Sequence, residues 1–153
     1  MARRPDRAGR ARSLSRKLAM QALYQWQLTG QSAAELRNQY ASEEGFGDAD
    51  AEYFRELLNG VTDGAAALDE TLGGLIDRPV AQLDPVERAV LMIGLYELGQ
   101  RLDVPYRVVI NEGVELAKKF GATEGHKFVN AVLDRAARTL RAAEQAAAGA
   151  ARG

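Results

Sequence analysis

An all-α fold is predicted for this 153-residue chain by three observations. β-branched residues never alternate with polar ones over a strand-length window, and apolar residues recur at helical spacing through the long segments. Of the four prolines, at 5, 79, 85 and 105, Pro85 and Pro105 stand where helices open rather than inside them. With 46% apolar and 27% charged residues the composition is globular, with enough material for a core.

The first helix is expected to be capped by Ser13 or Ser15 and to run to Leu28, where Thr29-Gly30 stops it. A short second helix follows from Ser32 to Tyr40. Gly45 and Gly47 mark a loop, and Asp48 or Asp50 caps a third helix containing Tyr53, Phe54, Leu57 and Leu58. Its pattern resumes through Leu68, Leu72, Leu75 and Ile76, with Gly60 and Gly64 as points of kinking or splitting. Asp84 then caps a helix with Pro85 in its first turn. That helix carries Leu91, Leu95, Leu98 and Leu102 on one stripe and Ala89, Met92 and Tyr96 on another, so it is apolar on nearly every side and belongs in the centre. The helix opening at Pro105 is amphipathic: Val109, Ile110, Gly113, Val114, Leu116, Ala117 and Phe120 share one half, and Gly121 is its expected C-cap. Thr123 is expected to cap a last helix with a core stripe of Val129, Val132, Leu133, Ala136 and Leu140. The organisation expected is a flexible basic arm over 1–12, a helical domain over 13–143 and a small-residue flexible tail over 144–153.

Charge is uneven. Residues 1–19 carry a net charge of +6 and the remainder −7, so a basic arm is joined to an acidic body. Such an arm attracts phosphate through counterion release, whereas the body repels it, so any nucleic-acid site is local. With no cysteine there is no disulfide, thiolate metal site or cysteine nucleophile, and the lone histidine, His126, cannot build a histidine metal site. No apolar run approaches the roughly 18 residues that cross a bilayer, so a soluble protein is expected. Glu112 with Glu115 reads as solvated charge on a helix face. GLYELG and GVTDG follow no strand and are not dinucleotide loops, and FGATEGHKF lacks the P-loop register. The sequence points to no catalytic residue, metal or cofactor.

Binding is better supported. In helical phase Ser13, Lys17, Gln21, Tyr24 and Leu28 form one stripe of the first helix, with Arg10 in line if the helix reaches it, while Ala19, Ala22, Leu23 and Trp26 lie opposite. A cation for phosphate, an amide for base edges and a ring for stacking suit single-stranded RNA; the alternative is that Tyr24 packs beneath a neighbouring helix.

ALYQWQL at 22–28, YFRELLNGV at 53–61, LDPVERAVLMIGLYEL at 83–98 and VPYRVVINEGVELAKKFGATEGHKFVNAVLD at 104–134 closely resemble the NusB family of bacterial transcription antitermination factors, in order along the chain. The resemblance implies six or seven helices in two small subdomains and a cytoplasmic, non-catalytic protein. The implied partners are boxA RNA, the small-subunit ribosomal protein NusE, and the RNA polymerase antitermination complex with other Nus factors, notably on ribosomal RNA operons. It assigns Arg12, Arg16, Lys17 and Tyr24 to the RNA surface, joined by Glu124, Lys127 and Phe128, with Glu87 facing NusE. Phe128 falls at the margin of its core stripe, near Arg135, which agrees. The arginine cluster departs from the family pattern: Ser13 and Leu14 stand where further arginines are common, Lys17 where Glu is frequent, and extra arginines lie upstream at 3, 4, 7 and 10. A transit peptide is disfavoured because the arm runs straight into ALYQWQL. Neither a membrane-surface role nor a pure protein scaffold is excluded by sequence, and homodimerisation is left open.

Overall fold

The structure, a computed structural model, describes residues 6–152, so Arg3 and Arg4 of the expected arm lie outside the described residues. Among the described residues there are eight α-helices and no strand: α1 Arg7–Thr29, α2 Ala33–Ala41, α3 Ala51–Asp63, α4 Ala65–Gly73, α5 Pro85–Gln100, α6 Tyr106–Phe120, α7 Gly125–Leu140 and α8 Ala142–Arg152. Short 3₁₀ turns occupy Phe46–Asp48 and Val80–Gln82. The all-α class holds, with one or two helices more than expected. The chain divides into two compact units, Met1–Gly64 and Ala65–Gly153.

In the first unit α3 packs along α1, and α2 leans on both. Leu23, Leu36, Phe54, Leu57, Leu58 and Val61 are fully buried. Phe46 meets Phe54 edge-on at 5.4 Å between ring centroids, which seals the loop before α3 over the core. Helix α1 starts well before Ser13: Asp6 is its N-cap, accepting from the Gly9 N–H at 2.6 Å. Ser15 is no cap but a buried clasp. Its hydroxyl lies 2.9 Å from the Ala11 carbonyl and 2.8 Å from the Asp50 carbonyl, and it accepts the Asp50 N–H at 2.9 Å. Asp50 caps α3 in turn, its carboxylate accepting from the Tyr53 N–H. Ser32 and Glu35 form a capping box on α2. The pattern that resumes past Leu58 splits at Gly64, one of the two glycines read as points of kinking or splitting, which is the C-cap of α3.

In the second unit α5 is the central element, packed by α4, α6 and α7. Ala89 to Leu95 are all buried, as a helix apolar on every side requires. The tightest approach is at Leu133 of α7. A Cβ placed on Gly94 of α5 would stand 2.7 Å from Leu133 Cδ2, and one on Gly113 of α6 would stand 2.9 Å from Leu133 Cδ1. Both glycines therefore serve close helix packing. Leu75 and Ile76, read as core, lie in the half-buried turn after α4, and Leu102 lies beyond α5, 67% exposed. The cap of α7 is Glu124, not Thr123, and its backbone is left-handed at φ 70.

The segment expected as a tail forms α8, and its first turn is bonded into the fold. Arg141, 3% exposed, donates to the carbonyls of Glu97 at 3.2 Å, Leu98 at 2.8 Å and Arg101 at 2.7 Å, which end α5. It also donates to Glu144 at 2.5 Å, while the other Glu144 oxygen accepts the Tyr106 N–H that opens α6. One ion pair thus satisfies orphan groups at the ends of two helices. The alanine-rich remainder has high helix propensity, which continues the helix from that anchor.

Two stability tests follow. Gly94→Ala should destabilise by about 1–2 kcal/mol in urea unfolding, overpacking outweighing propensity, and in a Leu133→Ala background the same change should stabilise by about 1 kcal/mol. Arg141→Lys should cost about 1–3 kcal/mol in thermal or urea unfolding, because an ammonium cannot reach three carbonyls in the plane a guanidinium does.

Candidate nucleic-acid interface

The outer stripe of α1 emerges as read. Arg10 is exposed, Lys17 and Gln21 are half-buried, Tyr24 is 40% exposed and Leu28 58% exposed, while Ala19, Ala22 and Leu23 are fully buried. Trp26, placed on the inner side, is only half-buried. The stripe is a ladder of cation, amide and ring on a rigid element, and Tyr24 is not beneath a neighbouring helix. The arm is helical from Arg7, so Arg7 and Arg10 ride on α1 and project from a fixed axis.

The other two cations differ from the expectation. Arg12 holds its guanidinium 4.5 Å from the centroid of the Tyr53 ring, and Arg16 lies 5.4 Å from the same ring. Arg16 is only 3% exposed, so it presents almost no surface to a ligand; the RNA contact expected of it is corrected to packing between α1 and α3. Arg12, half-buried, keeps part of its surface open. Tyr53 was legible only as a core residue, since its pairing with α1 is long-range.

The second cluster lies at the start of α7, in the other unit. Glu124 and Lys127 are exposed and ion-paired at 2.6 Å. The left-handed backbone of Glu124 is the sole positive φ at a non-glycine among the described residues and costs on the order of 1–2 kcal/mol. Phe128 is half-buried, and the guanidinium of Arg78 covers its ring at 4.3 Å. Arg78, in the exposed segment after α4, carried no signal in the sequence because the contact spans fifty positions.

Glu87 does not face outward. It is 7% exposed, with its carboxyl against Gly125, where an added Cβ would meet Oε2 at 3.3 Å. Position N3 of α5, capped by Asp84, turns it towards the first turn of α7, which corrects its expected place on a partner-facing surface. Burial, reinforced by the negative charge of Asp84 and opposed by Arg78, pushes the Glu87 carboxyl above the usual carboxylate range. No cluster of three or more His, Cys, Asp or Glu able to hold a metal occurs among the described residues. No helix of the described residues is long and apolar enough to cross a membrane.

A family model described as the NusB family matches residues 13–138. The chain belongs to the NusB family. A transcription antitermination protein NusB of Halorhodospira halophila is 55% identical over 139 residues, covering 90% of this chain and 89% of that protein. One of a Marinomonas species is 52% identical, covering 95% of this chain and 84% of its own length. Among solved structures, T. maritima NusB superposes with a TM-score of 0.74 at 27% identity, over 84% of this chain and 91% of that one. A complex of antitermination factors NusB and NusE with dsRNA matches with a TM-score of 0.68 at 28% identity, over 83% and 96% of the two chains.

The raised Glu87 carboxyl sets a pH dependence. A folded-state value above the unfolded one means the native state binds the proton more tightly, so this contribution is fully present below about pH 4 and is lost as pH rises through the folded value. Glu87→Gln should therefore gain melting temperature over the parent as pH goes from about 4 to 7, and a difference that is flat in pH would contradict the assignment.

Proposed function

We propose that this NusB-family chain is a transcription antitermination factor that binds boxA RNA together with NusE and joins the RNA polymerase antitermination complex. It works by binding rather than catalysis, in the cytoplasm. The observation that carries the reading is the α1 stripe, on which an exposed Tyr24 ring stands in line with Gln21, Lys17 and Arg10. Cations neutralise phosphate, the ring stacks an unpaired base, and the amide meets base edges. Arg12 contributes from its stack on Tyr53, and Arg16 acts beneath it by holding α1 against α3. Lys127 and Glu124, at the start of α7, supply a second contact region with Phe128. The related solved complex of NusB with NusE and RNA supports both partners, and its RNA is double-stranded, so a duplex is the competing ligand.

The test is a titration of boxA RNA, a scrambled strand and a duplex, with and without NusE. Affinity for the boxA strand should exceed that for the others, rise with NusE and fall with salt. Equal binding to all three RNAs would reject the sequence-specific reading. Tyr24→Ala should weaken boxA binding by about 1–3 kcal/mol with helix content unchanged by circular dichroism.

A further inference from the structure

Tyr53 of α3 is 2% exposed, so its ring is closed to any ligand. Two cations of α1 reach it instead: the Arg12 guanidinium stands over the ring at 4.5 Å from its centroid and that of Arg16 at 5.4 Å. The two arginines are four residues apart and share one ridge of the helix, but their exposures differ. Arg16 is 3% exposed, whereas Arg12 is half-buried and keeps part of its surface open. Hydrogen bonds fix the register of the ring against that ridge. Ser15, one residue before Arg16, accepts the Asp50 N–H at 2.9 Å, and the Asp50 carboxylate accepts the Tyr53 N–H at 3.1 Å. All of these groups belong to the first unit.

We propose that Tyr53 is a positioning residue for RNA binding: its buried ring holds the Arg12 guanidinium in place to meet an RNA phosphate, without touching RNA itself. The proposal rests on the RNA-binding reading above and adds to it a residue that acts only through Arg12. A mobile arginine side chain loses its rotamer freedom when it closes on a phosphate, whereas one already held on a ring has lost it before RNA arrives. An aromatic face attracts the cation without neutralising it and takes none of its N–H donors, so the charge stays available to a phosphate. Arg16 decides which of the two arginines is presented. It occupies the buried side of the shared ring, and as a like charge one turn away it favours the solvent side for Arg12. A ring that is itself buried cannot stack a base, which separates the role of Tyr53 from that of the exposed Tyr24.

The experiment titrates the full chain with single-stranded boxA RNA over a range of salt. Tyr53→Phe, which keeps the ring, should bind like the parent. Tyr53→Leu should weaken binding by about 2- to 10-fold with the salt slope unchanged, because Arg12 keeps its charge. Arg12→Gln should weaken binding and lower the slope by about one. In the Arg12→Gln background Tyr53→Leu should cause no further loss. An equal loss in both backgrounds would mean that the ring serves the fold alone, and the proposal is overturned. The parent gives a second readout by NMR. Its Arg12 side-chain protons, identified by their disappearance in Arg12→Gln, should be shifted upfield by the ring and stay so on saturation with RNA. Their return to ordinary values would show Arg12 leaving the ring and overturn the proposal, even where Tyr53→Leu fails to fold. If Arg12→Gln and Tyr53→Leu bind like the parent while Tyr24→Ala is impaired, RNA binding stands and the positioning role falls. A parent that binds no RNA refutes the functional reading and the positioning role together.

Discussion

Leu133 seated across Gly94 and Gly113 is the contact on which the second unit depends. Helices with ordinary side chains at the crossing stand about 8–10 Å apart, and a Cβ at either glycine would collide with the leucine. With both positions bare, one branched side chain touches two helices and α5, α6 and α7 close around it. Phe128 is carried on α7 little more than one turn before Leu133. Phe128 meets the segment after α4 through Arg78, whose guanidinium covers its ring.

The far end of the same helices is held by polar groups instead. Arg141 and Glu144 satisfy carbonyls that end α5 and an N–H that opens α6, the guanidinium buried and the carboxylate half-buried. An unpaired guanidinium there would be costly, but with its donors used on backbone acceptors it fixes the chain where α7 passes into α8. Glu87 is the contrasting case. It is buried at the start of α7 with Asp84 nearby, and its carboxyl is held above its ordinary range. A side chain that the family resemblance places on an outer surface is thus turned inward, its carboxyl against Gly125.

In the first unit the same distinction separates two neighbouring cations. Lys17 and Arg16 are adjacent in the chain and therefore about 100° apart on α1. The phase that puts Lys17 with Tyr24 sends Arg16 towards Tyr53 of α3. Basic residues counted together as an RNA-binding cluster thus divide into some that present charge and one that packs. Tyr24, Gln21 and Arg10 were legible because exposure on one long helix follows from phase alone. Tyr53 as the ring beneath two arginines was not, since nothing local in YFRELL encodes which residues of another helix will lie over it.

The amino-acid sequence by itself determined the all-α class, the helix starts at Ser32 and Asp84, the choice of Asp48 or Asp50 for the third helix, the central place of α5, the outer stripe of α1 and the family. The family rests on the resemblance of four sequence blocks, and the structural readings rest on short-range rules of periodicity and capping, which act within one or two turns of helix. Only the tertiary structure decided that the alanine-rich end is a helix bonded to α5 and α6, that Arg16 and Glu87 are buried, and that Arg78 covers Phe128. Each of these depends on groups brought together from distant parts of the chain, where burial and a specific partner, rather than residue type, decide whether a charge faces water or the fold.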